Sequence, residues 1–271
     1  LNYEQLLADA SPARDAGREG NDLAAVMYTG GTTGFPKGVM LSHENLASNA
    51  LCYLAEGVTH AEGRALLIAP MFHIAIGALM HAHAMAGGTQ IIVPMFTPVA
   101  ALQSIQKYRA THTLMVPTMI QLATDHPDAG QYDLSSLKVM AYGGSVISEA
   151  VLLRAMKRFP NADFVQAYGM TEIAPCATYL KPAEHRGETG KAGLLKSAGR
   201  ASLINEVRVV DDQDNEVPRG TVGEVTGRGP NVMRGYGNKP EQSSAALRGG
   251  WMHTGDLATM PGFFQPFGQV D

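Results

Sequence analysis

The chain has 271 residues, 45% of them hydrophobic, enough to bury a sizeable core as one large domain or a domain with a smaller companion. Its net charge of −4 leaves no electrostatic footprint for nucleic acid. No apolar run approaches the roughly 20 residues of a membrane span, no basic-then-apolar segment opens the chain, and two cysteines, Cys52 and Cys176, make no disulfide framework, so a reducing, cytoplasmic setting is expected.

The chain starts at Leu1 rather than Met and stops abruptly at Asp271, so both ends read as cut. Residues 1–22 are polar without a strong period, which suggests a surface helix and linker. The apolar run Leu23-Ala-Ala-Val-Met-Tyr28 reads as a buried strand. Glu44 to Leu54 reads as a helix with Ser42 as its N-cap. Between them, Gly30, Gly31 and Gly34 free the backbone to present N–H groups. Thr29, Thr32 and Thr33 add hydroxyls, and Lys37 adds a mobile positive charge. That combination suits a polyphosphate. It is not a Walker A loop, because Lys37 lies between Pro36 and Gly38 and lacks the following Ser or Thr. A plain Gly/Thr turn joining strand to helix is the alternative. Three glycines, three threonines and a lysine within nine residues weigh against it.

From Leu23 to about Met170 strand-like and helix-like segments alternate. Further candidate strands are Ala65–Ala69, Thr89–Val93, Thr113–Val116, Leu137–Ala141 and Asp163–Gln166, with helical patterns at Pro98–Arg109 and Ser148–Phe159. The alternation argues for an α/β layer, mainly parallel in its strands. The pair His81-Ala-His83 could chelate a metal on paper. With no Cys, Asp or Glu at ligand spacing, the polar side of a helix is the better reading. From about Lys181 the texture changes. Glu206–Val210, the turn Asp211–Asn215 and Val222–Thr226 read as antiparallel hairpins. The expected organisation is a segment 1–22, an α/β unit 23–180 and a smaller β-rich unit 181–271.

Gln166-Ala-Tyr-Gly-Met-Thr-Glu172 follows a predicted strand, and ligands of open α/β sheets bind beyond the carboxyl ends of strands. Tyr168 offers a flat face, Gly169 close backbone approach, Thr171 a hydroxyl and Glu172 a hard oxygen ligand suited to Mg²⁺. A turn ending a strand would explain this stretch alone about as well. Gly250-Trp-Met-His-Thr-Gly-Asp256 places a carboxylate where it could accept two hydrogen bonds, as a ribose diol requires, or simply close a turn.

Taken together these stretches resemble the adenylate-forming superfamily of acyl-CoA synthetases, peptide-synthetase adenylation domains and luciferases. The loop from Tyr28 to Gly38 matches the family's phosphate loop throughout, and Tyr168 to Glu172 and Gly250 to Asp256 match its adenine and ribose motifs. Gly223-Glu-Val and Arg228 to Tyr236 also fit the family's spacing, where the resemblance implies scaffold: hairpin edges and glycine turns. The resemblance implies ATP contacts at Thr29, Gly30, Gly31, Thr32, Thr33, Gly34, Lys37, Gly144, Ser145, Tyr168, Gly169, Met170, Thr171 and Asp256. It implies Mg²⁺ on Glu172, and catalytic roles for Lys37, His73, Thr171 and Glu172. Pro70-Met-Phe-His73-Ile-Ala-Ile-Gly77 is similar to the acyl-pocket motif of fatty-acyl and aryl-CoA ligases, which puts Phe72, His73 and Gly77, with Gly143 and Gln166, beside the acid.

The implied reaction joins a carboxylic acid to ATP as an acyl-adenylate and then to coenzyme A, releasing AMP and pyrophosphate. An acid without an amine is expected, since no acidic residue occupies the places where an amine partner would stand. A fatty acid is favoured, with an aryl-CoA ligase or a non-catalytic nucleotide-binding module as alternatives. Departures fall at the end of the chain. Gly262-Phe-Phe264 fits the family, Gln265 to Asp271 does not follow it cleanly, and the expected hinge and C-terminal domain with its lysine do not appear. Weak or no turnover is therefore expected of these 271 residues alone.

Overall fold

The computed structural model describes residues 2–30, 35–187 and 194–260 and the backbone of 265–269. Gly31, Thr32, Thr33 and Gly34 of the expected phosphate loop, and Gly262 to Phe264, lie outside the described residues. A short exposed helix, α1 (Tyr3–Asp9), precedes strand β1 (Leu23–Thr29) and strand β2 (Lys37–Ser42), which pair antiparallel with Thr29 opposite Lys37. Helix α2 (His43–Ala55) begins at once. Ser42 Oγ accepts the Asn45 N–H at 3.1 Å, and Asn45 Oδ1 accepts the Ser42 N–H at 2.9 Å. This reciprocal box satisfies two donors that a helix start would otherwise leave unpaired.

The next stretch alternates between strand and helix. It runs β3 (Arg64–Leu67), α3 (Ile74–Met85), β4 (Thr89–Ile92), α4 (Pro98–Tyr108), β5 (His112–Met115), α5 (Pro117–Thr124), β6 (Val139–Gly143), α6 (Glu149–Arg158) and β7 (Asp163–Gly169). The strands lie in the order β4-β3-β5-β6-β7 and are all parallel. Strand β8 (Cys176–Leu180), helix α7 (Pro182–His185) and strand β9 (Arg200–Ala201) follow, and β8 and β9 extend the same sheet antiparallel to seven strands. Successive side chains alternate between its faces. Leu66, Met140 and Phe164 pack under α4 and α6, whereas Ala65, Leu67, Ala141 and Val165 pack under α2 and α3.

Residues 181–271 contribute to all three sheets. Strands β10 (Glu206–Val210) and β11 (Gly223–Arg228) pair antiparallel. Strand β12 (Gly235–Tyr236) adds to β2, and helix α8 (Pro240–Ala246) leads to β13 (Met252–Thr259) and β14 (Gln265–Gln269). The resulting sheets are β1-β2-β12 and β10-β11-β13-β14. Pro266 sits on β14, at the edge of its sheet, where a missing backbone donor is tolerated. Among the described residues, no helix is long and apolar enough to cross a membrane.

Two expectations need correction. Leu23–Tyr28 is not a buried strand of the main sheet. It forms the outer strand of the small antiparallel sheet, with Val26 43% and Tyr28 76% exposed. The segment carrying Gly30 and Lys37 consequently joins two strands of a hairpin rather than a strand and a helix, and the N-terminus of α2 stands at the opposite end of β2 from Lys37. His83 is not on a polar helix face either. It is fully buried, its ring 5.0 Å from that of His112 and hydrogen-bonded to Thr59 Oγ1.

His112 generates a pH prediction. It is buried, its ring lies 5.0 Å from those of both His60 and His83, and its Nε2 has no hydrogen-bond partner. Burial, reinforced by the two neighbouring histidines, pushes its pKa down to about 3. A depressed histidine pKa adds stability above the unfolded-state value near 6.5 that is lost as pH falls toward 3. Denaturant unfolding should therefore lose about 1.4 kcal/mol per pH unit below 6.5 from this group. His112→Gln should flatten that slope, and an unchanged slope would acquit the residue.

Candidate active site

A cavity of about 650 Å³ opens at the carboxyl ends of β5, β6 and β7, where the three sheets meet. Leu114, Val116, Tyr142, Gly143, Gly144 and Ala167 come from the parallel sheet, Thr29, Gly30 and Lys37 from the hairpin, and Glu224 and Met252 to Gly255 from the four-stranded sheet. Backbones crowd here. A Cβ on Gly143 would lie 2.2 Å from Ala167 O, and one on Gly169 would lie 1.9 Å from Pro175 O, so both positions demand glycine.

Glu172 lies in a single 3₁₀ turn, Thr171–Ile173, directly after β7. Its side chain is 4% exposed, and a carboxylate so placed must be hydrogen-bonded. Tyr236 supplies the bond, its hydroxyl donating to Glu172 Oε1 at 2.8 Å, while Met233 N–H donates to the Glu172 backbone carbonyl at 2.8 Å. Burial, with the nearby Glu172 charge, pushes the Tyr236 phenol pKa well up, so it stays a donor. Lys37 Nζ sits 4.5 Å above the centre of the same ring, a cation–π distance. Lysine, phenol and carboxylate thus form one row along the cavity. Among the described residues, no cluster of three His, Cys, Asp or Glu side chains could hold a metal alone. Magnesium sites commonly use one or two carboxylates with substrate phosphates and water, and Glu172 fits that pattern.

Beside the cavity Tyr168 donates its hydroxyl to Asp256 Oδ2 at 2.7 Å. Burial pushes the Asp256 carboxyl pKa up, and the Tyr168 hydrogen bond pulls it back. His73 caps α3, its Nδ1 accepting the Ala75 N–H at 3.3 Å, and it lines the cavity with Ile74 and Ala75.

The structure brings Thr29, Gly30, Lys37, His73, Gly143, Gly144, Gly169, Met170, Thr171 and Glu172 to the cavity wall. Tyr168 and Asp256 adjoin that wall through Gly169 and Gly255 without lining it. Phe72, 83% exposed, Gly77, within α3, Ser145 and Gln166 also do not line it. Gln166 Oε1 instead takes a 3.4 Å hydrogen bond from Tyr142. Sequence reasoning took Glu224 and Tyr236 for scaffold and so missed their roles, and it missed Arg248, Tyr53 and Cys176, which no motif marked. The segment Arg228 to Tyr236 was visible by its spacing, but only the contact with Glu172 shows what its tyrosine does.

Comparison with known proteins adds an independent line. The family described as AMP-binding enzyme matches residues 2–237. A feruloyl-CoA synthase from Amycolatopsis sp is 39% identical over 243 residues, covering 89% of this chain and 48% of that protein. The medium/long-chain-fatty-acid–CoA ligase FadD8 of Mycobacterium tuberculosis is 37% identical over 258 residues, covering 95% and 44%. Among solved structures, the amide bond synthetase McbA of Marinactinospora thermotolerans superposes with a TM-score of 0.84 at 32% identity, covering 92% of this chain and 49% of that one. The chain spans about half the length of the curated relatives it matches.

The row of contacts can be tested without ligand. Tyr236→Phe removes the donor from a buried carboxylate and should lower unfolding stability by about 1.5–3 kcal/mol. Equilibrium denaturation of the variant against the parent measures it, and a change within error would show Glu172 satisfied by other means.

Proposed function

The chain belongs to the AMP-binding enzyme family, and from that premise we propose that its cavity binds ATP beside a carboxylic acid and carries the formation of an acyl-adenylate. Coenzyme A thiol is the proposed acceptor, as the names of the CoA-ligase relatives support. The observation that carries the reading is the row Lys37–Tyr236–Glu172 on the wall of one cavity, with the Tyr168–Asp256 pair adjoining that wall through Gly169 and Gly255. Full turnover is assigned to a longer protein, as the relatives' length supports, and a cytoplasmic setting goes with it.

In the proposed reaction an acid carboxylate attacks the α-phosphorus and the bond to pyrophosphate breaks. Two anions must meet. The Lys37 ammonium, with the Thr29 and Gly30 end of the hairpin, would offset phosphate charge. Bound Mg²⁺ would supply further neutralisation of the phosphates, with Glu172 holding it. Thr171 would donate to a phosphate oxygen, and Gly169 and Met170 would admit the nucleotide close to the backbone. Asp256 would accept the ribose hydroxyls, while the Tyr168 hydroxyl, held on Asp256, sets the ring that would meet adenine. Tyr53, Leu114, Val116, Ala167 and Pro175 contribute uncharged lining to the cavity, which suits an acid without an amine.

A fatty acid remains the favoured substrate. One observation favours an aromatic acid instead. Tyr53 and Cys176 form a polar spot in that apolar lining, hydroxyl oxygen to sulfur 3.3 Å, able to meet a ring substituent.

Thermal unfolding with AMP and with non-hydrolysable acyl-adenylate analogues of aliphatic and aromatic acids tests the reading. A ligand of the native state at a hundred times its Kd adds about 2.7 kcal/mol. An acyl analogue should outperform AMP, and the better acyl class identifies the substrate. If AMP stabilises and no acyl group adds to it, the acid half of the proposal fails. Lys37→Ala should weaken ATP binding about tenfold or more and AMP binding little, as a charge on the outer phosphates requires. Equal weakening of both nucleotides would place Lys37 elsewhere.

A further inference from the structure

The ladder between β11 and β13 is broken at one place. Glu224 pairs with Leu257 and Thr226 with His253, so Thr254, Gly255 and Asp256 stand opposite Val225 alone. Such a bulge re-aims the side chains it carries. Gly255 takes φ +75°, a left-handed conformation that favours glycine. Asp256 is the last residue of the bulge, and its direction depends on how the preceding two are held.

Glu224 holds them from the facing strand. Its Oε1 accepts the Gly255 N–H at 3.0 Å, and its Oε2 accepts from His253 Nδ1 at 2.8 Å and from an Arg248 guanidinium nitrogen at 3.2 Å. Arg248 in turn grips Asp214 at 2.9 Å, and His253 Nε2 lies 3.8 Å from the same aspartate. From outside the two strands the Tyr168 hydroxyl donates to Asp256 Oδ2 at 2.7 Å, and two further bulge contacts are internal to them. Thr254 Oγ1 donates to Val225 O at 2.8 Å and accepts the Asp256 N–H at 3.1 Å. One carboxylate therefore touches the flank of the bulge at His253 and its middle at Gly255, and the cationic Arg248 holds it in place. Two like charges, Glu224 and Asp256, face one region at the edge of the cavity. Repulsion alone would disfavour that, so the arrangement is retained against a cost.

We propose that Glu224 is a positioning residue for Asp256, fixing the bulge so that the aspartate receives the ribose hydroxyls of an adenine nucleotide. This rests on the nucleotide reading of the cavity given above. Glu224 is assigned no contact with the reacting atoms. Its effect passes through the Gly255 N–H, and it should appear in discrimination between sugars rather than in overall affinity.

The test is equilibrium titration of the purified chain with AMP, 2′-deoxyAMP and 3′-deoxyAMP, with unfolding stability measured in parallel. The parent should prefer AMP by about tenfold or more, the usual scale for hydrogen bonds to a charged acceptor. Asp256→Ala should abolish that preference. Glu224→Ala should lose most of it, and Glu224→Gln, which keeps an acceptor for Gly255 N–H but sets an amide against Arg248, should fall between. If Glu224→Ala weakens all three nucleotides by one factor and the preference survives, Glu224 is a brace only and the proposal is overturned. If the parent shows no preference, or Asp256→Ala keeps it, the ribose reading falls and this proposal with it. Should Glu224→Ala fail to fold, Glu224→Gln decides by the same ratio. A reduced ratio supports the positioning role, and an unchanged one overturns it.

Discussion

A carboxylate that is almost wholly out of water sits where three sheets meet, and the site is arranged around keeping it satisfied. Glu172 is carried to that point by the end of β7, the last parallel strand. It is held by Met233 and Tyr236, which belong to the segment that adds β12 to the hairpin sheet. Desolvating an ion costs several kcal/mol unless hydrogen bonds replace the lost water. The 230s segment therefore has to be in register, and Asn231 and Asn45 secure it. Asn231, fully buried, donates to Ile173 O and Cys176 O, while Asn45 donates to Pro230 O and Val232 O. Buried amides with every bond made specify one arrangement, since each alternative leaves a polar atom stranded.

Below that junction lies an apolar cluster that belongs to no single sheet. Val39 and Leu41 from β2, Ile173 from the turn, Met233, Tyr236 and Met252 pack together. The two polar networks and this cluster do complementary work. The cluster supplies non-directional attraction, and the amides and phenol fix which residue faces which.

Much of the main sheet was legible in the sequence, because short continuous apolar runs separated by helical stretches leave a signal in a short window. The predicted strand Asp163–Gln166 became Asp163–Gly169, and the predicted helix Pro98–Arg109 became Pro98–Tyr108. Leu23–Tyr28 was misread for a physical reason. A run of apolar residues looks alike whether a strand is covered on both faces or on one, and only the pairing with β2 separates the cases. The fully buried His83, on α3, was hidden in the same way, since its ring partner His112 comes from strand β5. Of the site, the residues brought to the cavity wall by motif were visible as motif. The segments carrying Tyr236 and Glu224 were visible only as scaffold, because the two residues' roles lie in contacts 64 and 31 residues away along the chain.

The pairing of β2 with β12 bears on the order in which the protein is made. Strand β2 emerges early in synthesis, yet the strand that covers its far edge lies near the other end of the chain, and Asn45 must wait for Pro230, 185 residues later. An isolated two-stranded hairpin is marginal in water. During translation the parallel strands β3 to β7 can assemble from contiguous chain, whereas the hairpin bearing Lys37 is left with Val39 and Leu41 uncovered. The cavity, lined from Thr29 to Gly255, is complete only once the far end of the chain is in place. A ribosome stalled before residue 236 would display a near-complete sheet with no site, and with an apolar face open to chaperones.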